Sequence, residues 1–249
     1  MLRILLLKFI PSLLTLFFIS SIQAKELSLE VVSEHWPPFI IQNFDKKNDI
    51  SAQKVSGIVT EKIHHILSTS NINYTIKTYP WARSYYVALN KPNVLIYSIY
   101  KTKERTPHFE WFCPVHEKTP INIYKLKSNK SDISSLSTLG NSIIGVLRSD
   151  NSHTFMLKHN FVEGESLIVS SSEESNIRNL LNKRIDAIIQ SKESLIYRLQ
   201  NTRFTIDDFD VGFELHQNKN TEHCMALSKS SSPEMIAAVK RAFNLWLNK

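Results

Sequence analysis

Short apolar segments alternate with amphipathic ones along most of the chain, and this order restricts the fold more than any other feature of the sequence. The segments LSLEVVS, YTIKTYP and NVLIYSIY are typical of strands, and the segments GIVTEKIHHILSTSN and WARSYYVALNK between them are typical of helices. An order of strand, helix, strand, helix, strand predicts an α/β unit with a mainly parallel sheet.

The second half of the chain repeats this style. Its predicted strands are INIYKL, the end of SSLSTLGNSIIGVLRS after a turn, ESLIVSS, IDAIIQ and HCMALSK. Its predicted helices are HTFMLKHNF, SEESNIRNLLNKR, KESLIYRLQ and SPEMIAAVKRAFNLWLNK. We therefore predict two α/β lobes of about a hundred residues each rather than one large sheet. Because no linker rich in Pro, Gly or Ser separates them, we expect the lobes to be joined by crossing strands that form a hinge.

The N-terminal segment, residues 1–24, has the pattern of a secretory signal peptide. Arg3 and Lys8 form a short basic start, an apolar run follows, and SSIQA ends the segment with small residues, which predicts cleavage after Ala24. The alternative is a membrane anchor, since the apolar run approaches the ~20 residues that span a bilayer. The small-polar end and Pro11 favour cleavage and an exported protein.

The composition excludes several function classes. The formal net charge is +7, but the basic residues are scattered, so nucleic-acid binding is not expected and a mild preference for anions is all that the charge supports. The sequence contains only five glycines and no P-loop, Gly-x-Ser-x-Gly or HExxH motif. We therefore expect no cofactor and no metal.

The two cysteines, Cys113 and Cys224, leave two readings open. An even number of cysteines in an exported protein is compatible with one disulfide. Two buried free thiols fit the residues equally well. Neither cysteine lies in a CxxC motif, so a zinc site or a thioredoxin-like redox role is not expected.

Several local motifs, taken in order, resemble the family 3 extracellular solute-binding proteins, the binding components of ABC importers. These motifs are HWPPF, GIVTEKIHHIL, SIYKTKERTPHFEW, LGNSIIGVLRSD, LLNKRIDAII and CMALSK. The resemblance covers essentially the whole chain after the signal peptide. It implies a two-lobed type II periplasmic-binding-protein-like fold, in which helices flank a mainly parallel sheet in each lobe and two hinge strands join the lobes.

The resemblance also implies the domain boundaries and the pairing of the cysteines. Lobe 1 would comprise residues 25–111 plus 223–249, and lobe 2 residues 112–222. Cys113 and Cys224 both fall on segments that resemble the hinge strands, which implies a Cys113–Cys224 disulfide. The location implied is the periplasm.

Four polar residues are candidate ligand contacts on the same grounds. Arg105 takes the place of the arginine that clamps the ligand carboxylate, a contact suited to bidentate, charge-assisted hydrogen bonds. Arg148 and Ser149 take the place where lobe 2 offers a hydroxyl and a helix N-terminus to the same anion, although LRSDNS also fits an exposed turn. Gln190 stands where the amino-acid receptors of the family carry an aspartate for the ligand ammonium, so we expect a different ligand, anionic or compatible with aromatic walls.

Aromatic residues complete the predicted site. We expect Trp36, Phe39, Trp81 and Tyr100 to stack on or enclose the ligand, with core packing as the alternative for each. Arg83 follows Trp81 in the first turn of a helix that begins after a strand, so both residues are predicted to lie at the edge of the cleft.

The function implied is that of a non-enzymatic, monomeric binding protein whose lobes close on a small polar ligand. An inner-membrane ABC permease or a sensor would read the closure. One alternative is a periplasmic enzyme on the same fold, similar to a dehydratase, for which Glu34 and His35 are candidate acids or bases. Another is an orphan protein that has lost its ligand.

Overall fold

The computed structural model describes residues 27–43, 54–70, 72–215 and 222–248. The predicted signal peptide and the middle of the loop after HWPPF lie outside the described residues. Within the described residues, no helix is both long and apolar enough to cross a lipid bilayer.

The first sheet contains five strands in the order β4-β1-β5-β12-β6. Its strands are β1 (Leu27–Ser33), β4 (Ile72–Thr78), β5 (Val94–Ile99), β6 (Phe109–His116) and β12 (His223–Ser228). The helices of this lobe are α1 (Ile58–Ser68), α2 (Trp81–Asn90) and α6 (Pro233–Leu247). A short hairpin of β2 (Ile41–Asn43) and β3 (Lys54–Ser56) precedes α1. This lobe therefore uses both ends of the chain.

The second sheet also contains five strands, in the order β11-β7-β10-β8-β9. Its strands are β7 (Ile121–Leu126), β8 (Ile144–Leu147), β9 (Leu167–Ser170), β10 (Ala187–Ser191) and β11 (Phe209–Glu214). Its helices are α3 (Asn151–Lys158), α4 (Glu173–Leu181) and α5 (Lys192–Leu199). The two lobes predicted from the order of elements are thus two separate sheets with their own helices.

The helices begin where side chains can satisfy free backbone amides. The side chain of Ser172 accepts a hydrogen bond from the amide of Ser175 at the start of α4, and Ser232 caps the amide of Met235 at the start of α6. In α6, Met235, Val239 and Ala242 face the core of the first lobe, and this spacing of three and four residues is that of one helix face.

Both sheets are mixed but mainly parallel, as predicted, because four of the five strands of each sheet run in the same direction. β1 pairs in parallel with β4 and β5, whereas β12 is antiparallel to both β5 and β6. In the second sheet β8 is parallel to β9 and β10, whereas β7 is antiparallel to β10 and β11. The antiparallel strands are those beside the crossovers, because a strand that returns from the other lobe enters its sheet from the opposite end.

The first crossover comes later than the predicted boundary after residue 111. β6 remains paired with β12 as far as His116, which lies opposite His223. The chain therefore leaves the first sheet between His116 and Ile121, where β7 begins. Strand β12, which belongs to the first sheet, begins at His223.

Cys113 and Cys224 form the disulfide that the resemblance implied. Their Cα atoms are 4.6 Å apart on the neighbouring strands β6 and β12. The bond spans 111 residues and so closes a loop that contains the whole second lobe. A long closed loop restricts the unfolded chain, which favours the folded state.

Replacing both cysteines by alanine should lower the free energy of unfolding by about 2–5 kcal/mol, since the unfolded chain regains the entropy of the open loop. Denaturant unfolding followed by circular dichroism measures this loss. A reducing agent should lower the unfolding midpoint of the unmodified protein and leave that of the double variant unchanged. Equal midpoints for the two proteins under oxidising conditions would contradict the prediction.

Candidate ligand-binding cleft

A cleft lies between the two lobes, and its empty volume is about 530 Å³ when the space open to solvent is included. It is lined from lobe 1 by Glu34, Trp36, Trp81, Ser98, Tyr100 and Arg105, and from lobe 2 by Ile121, Leu147, Asp150, Asn151, Ser152, Glu173, Ile189 and Gln190. Many of these residues lie at or just beyond the ends of strands β1, β5, β8 and β10. Ligands of open α/β sheets collect at such carboxyl ends.

The turn that carries Trp36 is fixed by hydrogen bonds on both sides. Trp36 and Ile40 exchange backbone hydrogen bonds of 3.0 and 2.9 Å, and the amides of Ile58 and Val59 donate to the carbonyls of Pro38 and Phe39. A Cβ atom at Gly57 would lie 2.6 Å from the Phe39 carbonyl oxygen, so only glycine permits this close approach of helix α1. The backbone of Trp36 is thereby held at the edge of the cleft.

Arg105 is 7% exposed and lies among aromatic rings. Its guanidinium carbon is 5.3 Å from the centre of the Trp81 ring and 5.2 Å from that of Tyr85, and its Nη1 donates to the Tyr100 carbonyl at 3.5 Å. Among the described residues, no carboxylate forms an ion pair with it. A buried charge without an ionic partner is costly, and this leaves Arg105 free to bind an anionic group in the cleft.

Three carboxyl groups reach the same cleft from both lobes. Glu34 follows strand β1, Asp150 is the cap of helix α3, and Glu173 lies in the first turn of helix α4. Asp150 accepts the His153 amide hydrogen bond at 2.6 Å, and Glu173 accepts one from the Asn176 side chain at 3.2 Å. These bonds orient two of the carboxyl groups and leave an acidic surface facing the cleft.

Burial raises the pKa values of these carboxyl groups above their ordinary values. It raises the pKa of Glu173 to about 7, with a further contribution from the charge of Asp150. Burial also raises the pKa of Asp150 to about 6, against the opposing effect of the hydrogen bond from His153. The pKa of Glu34 lies well above its usual value, first because of burial and then because of repulsion from Glu173 and Asp150. The cleft thus holds acids that titrate near neutral pH.

The lobes touch each other at the rim of the cleft. The indole N–H of Trp81 donates to the Ser149 carbonyl of lobe 2 at 2.9 Å, and Nη2 of Arg198 donates to the His35 carbonyl of lobe 1 at 2.7 Å. Arg198 also forms an ion pair with Glu174. Burial and the neighbouring Arg198 charge lower the pKa of His35 to about 4, so this histidine is neutral at physiological pH.

Five of the nine predicted contact residues line the cleft together: Trp36, Trp81, Tyr100, Arg105 and Gln190. Their contact with a ligand stays a prediction. Gln190 is buried, and its side-chain oxygen accepts a hydrogen bond from the Ser191 amide at 3.3 Å.

The other four predicted residues do not line the cleft. Phe39 is buried behind Trp36, with ring centres 4.9 Å apart, because it packs into the core of the first lobe. Arg83 is exposed and lies over the Tyr79 ring, since a residue two positions after Trp81 points away from it on a helix. Arg148 and Ser149 form the exposed turn that was the alternative reading, and Ser149 contributes only its carbonyl oxygen to the contact between the lobes.

The acidic residues Glu34, Asp150 and Glu173 line the cleft and were not among the contacts predicted from the sequence. Glu173 lies in the first turn of helix α4, a position that the helix dipole favours for any acidic residue, so its place in the sequence alone does not indicate a binding role. Glu34 was considered only as an acid or base of an enzyme. The signal that both share with Asp150 is a position directly after a strand or at the N-terminus of a helix that follows one.

Replacing Glu173 by glutamine should stabilise the unliganded protein at pH 8 by about 1–3 kcal/mol and change little at pH 4. The folded pKa is above the unfolded one, so Glu173 contributes a loss of stability as the pH rises from about 4 to about 7. Denaturant unfolding at both pH values measures the difference. The exposed Glu165→Gln variant is the control, and an equal effect of both substitutions at pH 8 would refute the prediction.

Comparisons of the sequence with known proteins find no match, whereas comparisons of the structure identify the fold. No protein-family model matches the chain, and no curated protein matches it.

Among the described residues, no cluster of histidine, cysteine, aspartate and glutamate side chains could hold a metal ion.

Solved structures match nearly the whole chain at low sequence identity. A histidine kinase sensor domain with similarity to periplasmic binding proteins is 12% identical, with a TM-score of 0.72, over 90% of this chain and 91% of that one. An ancestral arginine-binding protein bound to arginine is 16% identical, with a TM-score of 0.71, over 89% and 93%. A periplasmic binding protein of an arginine transport system from Legionella pneumophila is 18% identical, with a TM-score of 0.67, over 90% and 92%. The chain therefore has the two-lobed periplasmic-binding-protein fold.

Proposed function

We propose that this chain is a periplasmic solute-binding protein whose lobes close on a small ligand that carries both a carboxylate and a cationic nitrogen group. The observation that carries the proposal is the charge arrangement in the cleft. Arg105 is buried there without a carboxylate partner, and Glu34, Asp150 and Glu173 face the same space. A ligand with both charges would pair each of these groups.

The acidic groups change the ligand expected from the sequence. Gln190 replaces the aspartate that the resemblance led us to expect, and this favoured an anionic ligand. Three carboxyl groups nearby supply the missing negative charge, so a purely anionic ligand would meet repulsion from both lobes. The arginine-bound structure of similar fold makes L-arginine the first ligand to test.

The aromatic residues give the cleft its walls. The centres of the Trp36 and Tyr100 rings are 6.3 Å apart and their planes are nearly perpendicular. The Tyr100 hydroxyl has no hydrogen-bond partner among the described residues, although it is buried. A buried hydroxyl without a partner is unfavourable, and a polar group of the ligand would satisfy it. Aromatic faces also suit a planar cation such as a guanidinium.

The contacts between the lobes supply the link from binding to a partner. Trp81 with Ser149 and Arg198 with His35 hold the lobes together, and hinge closure of this kind gives a membrane partner a shape to recognise. We propose that this partner is an ABC permease or a sensor. We also propose that the binding protein is a monomer in the periplasm. We also propose that the ligand is released unchanged, which mass spectrometry after prolonged incubation tests against the enzymatic alternative.

L-arginine should raise the melting temperature of the purified protein, because it binds only the folded state. Agmatine, which lacks the carboxylate, and succinate, which lacks the cation, should each give a much smaller rise. Absence of any rise with L-arginine, L-lysine and L-ornithine, together with a rise with succinate, would overturn the proposal.

Arg105→Ala should weaken binding of L-arginine by about 10- to 100-fold, the effect of losing a charged hydrogen-bond partner. Isothermal titration calorimetry measures the affinity. Arg83→Ala is the matched control, since Arg83 is an exposed arginine outside the cleft, and it should bind like the unmodified protein. Equal affinities of the two variants would remove Arg105 from the site.

Affinity for L-arginine should rise about tenfold between pH 5.5 and pH 8, because a cation binds the ionised carboxylates and favours proton release. The pKa values of about 6 for Asp150 and about 7 for Glu173 place the change in this range. Calorimetry in two buffers with different heats of ionisation counts the protons released. Affinity that falls with rising pH would show that the carboxyl groups bind the ligand in their protonated form.

A further inference from the structure

His223 is a buried histidine that neither the predicted site nor the cleft lining includes. It is 0% exposed and is the first residue of strand β12, directly after the chain has returned from the second lobe. Both ring nitrogens have hydrogen-bond partners: Nδ1 lies 3.1 Å from Oγ of Ser98, and Nε2 lies 2.8 Å from Oγ1 of Thr119. The ring is therefore fixed at two points.

The two hydrogen-bond partners of His223 lie in different parts of the structure, one in a crossover between the lobes and one in the cleft. Thr119 lies in the first crossover between the lobes, between strands β6 and β7, and is buried. Ser98 lines the cleft near the end of strand β5, and its backbone has a φ of 55°, an uncommon conformation for a residue other than glycine. His223 thus links the first crossover, the start of the strand after the second crossover, and the cleft.

The face of the His223 ring supports a residue of the cleft. The imidazole and the Trp36 indole are stacked, with ring centres 4.9 Å apart and planes only 2° from parallel. Phe39, Tyr100 and His116 surround the same imidazole, with ring centres 5.1, 6.1 and 5.2 Å away. Trp36 is itself partly buried between the cores of the two lobes.

The imidazole is neutral in this position. Burial, with smaller contributions from His116 and Lys62, lowers the pKa of His223 to about 3. A neutral imidazole has one donor and one acceptor nitrogen, and each of the two hydroxyl groups can take either role. All hydrogen-bonding capacity of the ring is therefore used while its face remains available for stacking.

From these contacts we infer that His223 is a positioning residue that sets the Trp36 ring in the cleft and joins it to the hinge. The inference that this affects ligand affinity rests on the proposed function. The inference that His223 orients Trp36 does not, because it concerns the unliganded protein as well. Without the stack, the indole could rotate away from the cleft, since the remaining ring contacts of Trp36, with Phe39 and Tyr100, are tilted or edge-on.

Two substitutions separate the stack from the hydrogen bonds. His223→Phe keeps an aromatic face and loses both bonds to Ser98 and Thr119, and His223→Gln keeps a polar group and loses the face. Thr119→Val is a milder variant that removes one hydrogen bond, for use if the His223 variants do not fold. His116→Gln is the matched control, since His116 neighbours His223 and has no ring contact with Trp36 among the described residues.

The first measurement needs no ligand. Near-ultraviolet circular dichroism and acrylamide quenching are recorded for each protein and for its Trp36→Phe counterpart, so that the difference isolates Trp36. In His223→Gln, which loses the stack, we expect the Trp36 dichroism to fall by about half or more and quenching to rise about twofold, as for a less ordered ring. In His223→Phe and Thr119→Val, which keep an aromatic face, we expect a smaller change in the same direction. An unchanged Trp36 signal in variants that are merely less stable would overturn the positioning role.

The second measurement is the affinity for L-arginine. His223→Gln should bind about tenfold more weakly than the unmodified protein, a change of about 1.4 kcal/mol, while His116→Gln binds normally. A changed Trp36 signal with unchanged affinity would disprove the link to ligand binding and leave the positioning role intact. If the unmodified protein does not bind L-arginine, the choice of ligand fails, and the spectroscopic result still decides the role of His223.

Discussion

The return of the chain through strand β12 is the constraint on which the rest of the structure depends. β12 lies between β5 and β6, so the crossovers from and to the second lobe lie side by side at one end of the first sheet. Because the two crossovers are adjacent, Cys224 lies beside Cys113 and His223 lies beside Thr119. Covalent, hydrogen-bonded and aromatic contacts at the hinge therefore all follow from one strand insertion.

The cleft collects charged groups that neither lobe would bury alone. Lobe 1 contributes Arg105 and Glu34, and lobe 2 contributes Asp150 and Glu173. Bringing the lobes together removes these groups from water, and the raised pKa values of the carboxyl groups express that cost. A site of this kind lowers the stability of the unliganded protein, and a ligand with complementary charges offsets the loss.

The sequence predicted most elements and five of the fourteen residues that line the cleft, and the failures have physical reasons. Apolar runs such as that of β5 mark strands, but they do not show which strand of each sheet is antiparallel to its neighbours, since both pairings bury the same side chains. Strand β11 was not predicted at all, because the run FDVGFE has a weak pattern interrupted by Gly212. Trp81 and Arg83 were placed together although residues two apart on a helix face different directions.

Net charge predicts the sign of a binding site poorly when the charges that matter are few and buried. The chain as a whole has a formal charge of +7, which suggested a preference for anions, yet the cleft lining contains three acidic residues and one arginine. Surface lysines are screened by solvent and salt, whereas a carboxyl group inside the cleft acts on the ligand at short range and low dielectric. The local order of residues at strand ends, rather than the total charge, therefore determines the charge that the cleft can accept.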